Sequence, residues 1–283
     1  LSYPKIMRKT VVLLVAVVVT LILLSGCIGG TESIDETYMS EYTYDVSVRT
    51  NATLENATFY LPAPVEDNES TLGQKLVAEN MFDEANLSEG ERQRATDQPD
   101  WNLSLVDTRH GRMLRIHADV IKPRFVTPQP IDEEGNPLPT NESPRPQTRS
   151  ISVSLQVNNS IDTKNALENE PVLVPKYNIT KVECDFPRPE DSAVECYRYD
   201  SRIYASYNVT NASMTSNPEI DLAVSFDGSN SWFTAGWTGN NYHDFTNTVI
   251  EGENDGWIKT NGRFTQGEGN YLDREVRQNV TSG

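Results

Sequence analysis

The chain carries three thiols, and their settings assign them different chemistry. Cys27 closes the tetrapeptide Leu24-Ser25-Gly26-Cys27 and is followed by Ile28-Gly29-Gly30. Small neighbours leave that sulfur accessible to an enzyme, and its thiolate is the nucleophile that an acyl-glycerol transfer needs. Cys184 and Cys196 are the remaining pair, flanking the turn-like stretch Phe186-Pro187-Arg188-Pro189-Glu190-Asp191-Ser192. A disulfide across a hairpin would close a loop of about 13 residues and contribute roughly 3 kcal/mol in the chain-entropy model. Two buried free thiols are the alternative.

Other reactive groups are sparse. His110, His117 and His243 are isolated in sequence, the first in a turn and the second on a polar strand face, which suits hydrogen-bonded or surface imidazoles. Asp227-Gly228-Ser229-Asn230 and Glu251-Gly252-Glu253-Asn254-Asp255-Gly256 offer oxygens at turn spacing. Neither follows the twelve-residue, helix-flanked calcium loop, so both read as turns and no metal or cofactor is expected. A nucleophile elbow, a phosphate loop and a dinucleotide fingerprint are all missing, and carboxylate pairs mean little in so acidic a chain. The chain is not expected to be an enzyme.

Ahead of Cys27, Lys5, Arg8 and Lys9 precede an apolar run from Val11 to Leu24 broken only by Thr20. That run is short for a membrane span and suits a signal-peptide core, with Met7-Arg8-Lys9 as a natural opening. Leu24-Ser25-Gly26-Cys27 resembles a lipobox, which implies cleavage of residues 1–26 and lipid on Cys27 as the mature N-terminus. An uncleaved anchor with an incidental cysteine is the other reading. Both place the rest of the chain outside a membrane, and two acyl chains would hold it there stably.

Asn-Xaa-Ser/Thr sequons stand at Asn51, Asn56, Asn68, Asn86, Asn102, Asn141, Asn158, Asn178, Asn208, Asn211 and Asn279. Against 41 acidic residues the chain sets 24 basic ones, 8 lysines and 16 arginines, for a formal charge of −17. Loss of Lys5, Arg8 and Lys9 on cleavage would take −17 to −20. Such a field repels phosphates over most of the surface, so nucleic acid is excluded as an ordinary partner. Lipobox, sequons and acid excess together resemble the secreted lipoproteins of salt-loving archaea, specifically over the first 30 residues and by composition beyond them.

The elements that position these groups are mostly strands. After a polar tether over 27–40, Tyr42, Tyr44, Val46 and Val48 alternate with polar residues, and Thr58-Phe59-Tyr60-Leu61 continues as a strand stopped by Pro62 and Pro64. Thr71-Leu72-Gly73-Gln74 fits a capping box opening a short helix over 72–82. Residues 103–106 and 113–121 bracket a turn at Gly111, with Leu114, Ile116, Ala118 and Val120 on one face. Seven prolines between Pro123 and Pro146 forbid a central strand there. The stretch 123–149 is either a linker between two β subdomains or a long excursion, after which Ile151, Val153, Leu155 and Val157 resume alternation, with 113–121 as a candidate partner. Strands follow near 177–184, 194–200, 202–209 and 219–226. Without βαβ units, residues 41–283 are expected to form an antiparallel β-sandwich, broadly immunoglobulin-like.

Between Asn211 and Asn279 there is no sequon, and Trp232, Trp237, Tyr242 and Trp257 lie there among glycines and asparagines. Flat rings among amides suit a glycan- or partner-binding surface over 226–271, or else the most tightly packed part of the core. The whole implies a membrane-anchored, glycosylated extracellular protein acting by interaction, through a protein partner or self-assembly at the cell surface, with a glycan-binding module as the alternative. One stability consequence follows from charge alone. The melting temperature should fall as salt is lowered from about 2 M to about 0.1 M, because self-repulsion is then less screened; a temperature indifferent to salt overturns this.

Overall fold

The computed structural model describes residues 37–79, 101–132, 135–186, 194–210 and 217–271, and the compact unit begins at Tyr38. Its strands are β1 (Met39–Thr50), β2 (Thr53–Val65), β3 (Asn102–Thr108), β4 (Gly111–Ile121), β5 (Phe125–Val126), β6 (Arg145–Pro146) and β7 (Arg149–Val157). They continue as β8 (Val172–Val174), β9 (Tyr177–Val182), β10 (Glu195–Thr210), β11 (Glu219–Phe233), β12 (Trp237–Glu251) and β13 (Asn254–Gly269). Among the described residues there are also two helices, α1 (Thr71–Glu79) and α2 (Ala166–Asn169).

The fold is all-β and sandwich-like, built from one curled antiparallel sheet of eleven strands. Its order is β3-β4-β2-β10-β13-β12-β11-β1-β7, with β8 added to β2 and β9 to β10. Alternation decides which face turns inward: in β11 every second residue from Ile220 to Trp232 is buried, and in β1 the same holds from Ser40 to Thr50. Side chains from both ends of the sheet meet in one core, where the Tyr44 hydroxyl on β1 donates to the Pro62 carbonyl on β2 at 2.8 Å. Helix α1 packs on β2 and on the two terminal strands β3 and β7, burying Leu72 and Leu76. It therefore covers the apolar gap between the edges of the sheet, which would otherwise face water.

Several local expectations are corrected. Pro62 and Pro64 do not stop β2, because its pairing with β10 ends at Tyr60 and neither proline need donate to that neighbour. The helix opens with Thr71 already inside it, and the Ser70 carbonyl accepts the Gln74 N–H at 2.9 Å. On β4, Leu114, Ile116 and Ala118 are buried but Val120 is exposed and Ile121 takes the core position. The cause lies in β2, where one extra residue bulges against β10 and Asn56 adopts φ 51°. The segments 194–200 and 202–209 are one strand, since buried Ser201 satisfies its hydroxyl on the Pro175 carbonyl at 2.7 Å.

Strand β7 pairs with β1 rather than with 113–121, because β4 is already flanked by β3 and β2. The proline-rich stretch before it forms the β5–β6 ribbon, with Phe125, Val126, Ile131 and Leu138 exposed. At the other end of the chain the fold starts within the expected tether. Tyr38 stacks on Trp232, and Ser40 is buried against Asn230.

Phe226 sits at the centre of the core, fully buried between Tyr42 and Tyr242 with ring centroids 5.8 and 5.9 Å away. Phe226→Ala should lower the unfolding free energy by about 3–5 kcal/mol, read from the denaturant midpoint in native salt. A loss below about 1 kcal/mol would contradict this packing.

Candidate functional site

The four aromatics offered either as a binding surface or as tightly packed core divide between the two. Trp232 and Tyr242 are core residues, 2 % and 0 % exposed. The Tyr242 ring lies over Gly228, where a Cβ would come within 2.2 Å of it, so Asp227-Gly228-Ser229-Asn230 is the middle of β11 and not a turn. Trp237 is 63 % exposed and packs edge-on against Phe233 at the tip of the β11–β12 hairpin. Trp257 is half-buried on the outer face. The amides are also spent internally: Asn230 bonds Ser40, Ile161 and Asn240, while Asn240 also holds Thr163 and Asn270.

Cys27 and the sequons Asn86, Asn211 and Asn279 lie outside the described residues. Asn56, Asn68, Asn102, Asn141, Asn158, Asn178 and Asn208 are exposed, and Asn51 is partly so. Two of these amides are engaged, Asn178 on Asp200 at 2.7 Å and Asn51 on the Asn217 carbonyl at 3.0 Å. Cys184 and Cys196 form the disulfide across β9 and the start of β10, with Cα atoms 5.3 Å apart.

What the structure does bring together is a set of four rungs on the outer face of β10 and β13. Directly opposed are Arg198 with Arg263, Asp200 with Asn261, Arg202 with Lys259, and Tyr204 with Trp257. Tyr60 on β2 extends the last rung, its ring 4.8 Å from that of Tyr204 and nearly parallel. The β3–β4 turn closes over the aromatic end, placing His110 4.4 Å from the Trp257 ring and Arg109 5.6 Å above it. Tyr177 then joins His110 through a hydrogen bond of 2.8 Å. At the other end the rungs open into a cleft of about 900 Å³, which Asn178, Phe245, Asn247 and Val249 also line.

Like charges directly opposed on a sheet are destabilising. Here two such rungs flank the Asp200–Asn261 rung in an acid-rich chain, bridged by few carboxylates. Asp185 lies 3.4 Å from Arg198 and 3.2 Å from Arg263, and Asp200 takes Lys259 at 2.9 Å. The Lys259 bond, joined by that of Asn178, holds the Asp200 carboxyl below its ordinary range. The guanidinium and ammonium groups are more than half exposed on Arg198, Lys259 and Arg263. Exposed cations beside a half-buried aromatic row can bind an anion and stack a flat apolar ring face.

Among the described residues no group of three or more His, Cys, Asp or Glu is placed to hold a metal. Comparison with known family models, curated proteins and solved structures finds no match.

The histidines divide by environment. Desolvation, with Arg109 and Arg202 nearby, pushes His110 below the ordinary imidazole range. His243 on β12 is raised by its 2.6 Å hydrogen bond to Asp227, its neighbour on β11. The stabilisation from the His243 pair is therefore full below the ordinary histidine value and is lost as pH rises through the raised one. A proton NMR titration should give His243 a higher midpoint than His110, and Asp227→Asn should bring the His243 midpoint down. An unchanged His243 midpoint in that variant would refute the assignment.

Proposed function

We propose that this chain is a lipid-anchored, extracellular surface protein that acts by binding, and that its ligand is an acidic saccharide held on the β10–β13 rungs. The observation that carries the reading is the continuity of the four rungs along one exposed face: an aromatic row, then two rungs of paired cations with the Asp200–Asn261 rung between them. Sugar rings present apolar C–H faces that stack on Tyr204, Trp257 and Tyr60, and uronate or sulfate groups match Arg202, Lys259, Arg198 and Arg263. The lipobox-like segment at Cys27 and the sequons support the location. The exposed sequon asparagines support glycosylation, with Asn178 disfavoured because its amide is held by Asp200.

Trp257 supplies the readout. Uronate-containing or sulfated oligosaccharides should quench or shift tryptophan fluorescence more than neutral ones do. Tyr204→Ala and Arg263→Ala should each weaken binding at least about tenfold, roughly 1.4 kcal/mol, while Trp237→Ala leaves it unchanged. Loss of binding in Trp237→Ala alone would move the site to the hairpin tip, and no response to any acidic glycan would sink the reading.

A second reading rests on the exposed Phe233–Trp237 pair. A protein partner at the cell surface would cover that tip, and cross-linking in intact envelopes would then join one neighbour near these residues.

A further inference from the structure

Lys176 and Asp244 meet inside the curled sheet, their side chains 5 % and 0 % exposed. Asp244 points inward from β12, and Lys176 comes from the connection between β8 and β9. Aromatic rings enclose the ammonium, Tyr199 at 4.2 Å and Phe264 at 5.6 Å. Gly262 makes this possible, since a Cβ there would fall 2.0 Å from the Tyr199 ring. Asp244 Oδ1 accepts the Tyr199 hydroxyl at 2.6 Å, and Oδ2 accepts the Leu173 N–H at 2.8 Å as well as Lys176 Nζ. Nζ also donates to the Leu173 carbonyl at 2.7 Å.

We infer that Lys176 and Asp244 condense to an intramolecular amide, a covalent cross-link between the β8–β9 connection and β12. The amine nitrogen touches the carboxylate that would acylate it, and both side chains are buried away from solvent. Two charges at such depth are unfavourable, and condensation removes both. Burial also favours the neutral amine of Lys176, the form with a free lone pair.

The step balances without a co-reactant. One proton passes from the ammonium to Oδ2, and the Nζ lone pair attacks Cγ to form the C–N bond. A second proton follows from nitrogen to Oδ2, the Cγ–Oδ2 bond breaks, and one water leaves. No electron is gained or lost. As Cγ becomes tetrahedral, negative charge gathers on Oδ1, where the Tyr199 hydroxyl already donates. In the product the amide oxygen keeps Tyr199 and the amide N–H keeps the Leu173 carbonyl.

The test uses the natural chain, denatured, reduced, deglycosylated and digested, with peptides sequenced by mass spectrometry. A branched peptide joining Lys176 to Asp244, lighter than its two arms by one water, is the expected result. Recovery of Lys176 and Asp244 in separate linear peptides of full mass overturns the inference. Lys176→Arg keeps the cation but removes the primary amine and should yield no branched peptide, and a branch persisting there would place the bond elsewhere.

Discussion

A phenol buried in a protein must find an acceptor, and this interior is filled with phenols. Tyr44 donates to Pro62, Tyr199 to Asp244, Tyr207 to Gly252, Tyr242 to Pro171, and Tyr42 to the Glu170 carboxylate. Burial raises all five hydroxyls, so they remain donors at any physiological pH. Three of the five acceptors lie outside the strands. Glu170 and Pro171 lie between α2 and β8, and Gly252 lies in the β12–β13 turn. The rings thus do two jobs: they supply the volume that a curled sheet must fill, and their hydroxyls pin the connections that run over its ends.

The inner face determines what the outer face is free to do. With the core closed by residues such as Tyr44, Phe226, Tyr242 and Phe264, the alternate positions along the sheet's strands face away from it. On β10 and β13 those positions hold an aromatic row and paired cations. The arrangement gains little for the fold, since exposed ion pairs such as Lys259–Asp200 contribute about 0–1 kcal/mol and opposed cations work against it.

Where burial repeats along one strand, the sequence was readable. The alternations in β1 and β7, the Gly111 turn and the Cys184–Cys196 hairpin were all visible as short-range patterns. Pairing partners were not, because nothing local says that β4 already has two neighbours. Prolines 62 and 64 misled for the same reason, since whether a missing N–H matters depends on which strand lies alongside. The aromatic row joins residues 60, 204 and 257, which no window on the sequence connects. Its two halves were nevertheless written plainly: Arg198, Asp200, Arg202 and Tyr204 recur with period two, as do Trp257, Lys259, Asn261 and Arg263. The aromatic tail was harder, because Trp232 and Tyr242 differ from Trp257 only in the face of the strand on which they fall.

Strand order also carries a statement about time. The middle of the sheet, β10-β13-β12-β11, comes from residues 195–269, while β1 to β4 and β7 are placed outside it on either flank. A chain made from its N-terminus therefore presents its flanks before their support exists. Strand β1 has β7 as an early neighbour, yet its longer partner β11 begins some 170 residues later. Pairs within the early half, β3–β4, β2–β4 and β1–β7, can form first, but β2 and β1 each keep an open edge until β10 and the local β11–β12–β13 meander emerge and join both flanks. A protein built this way is assembled around its latest part, and the inner faces of its flanking strands wait for partners that are made last.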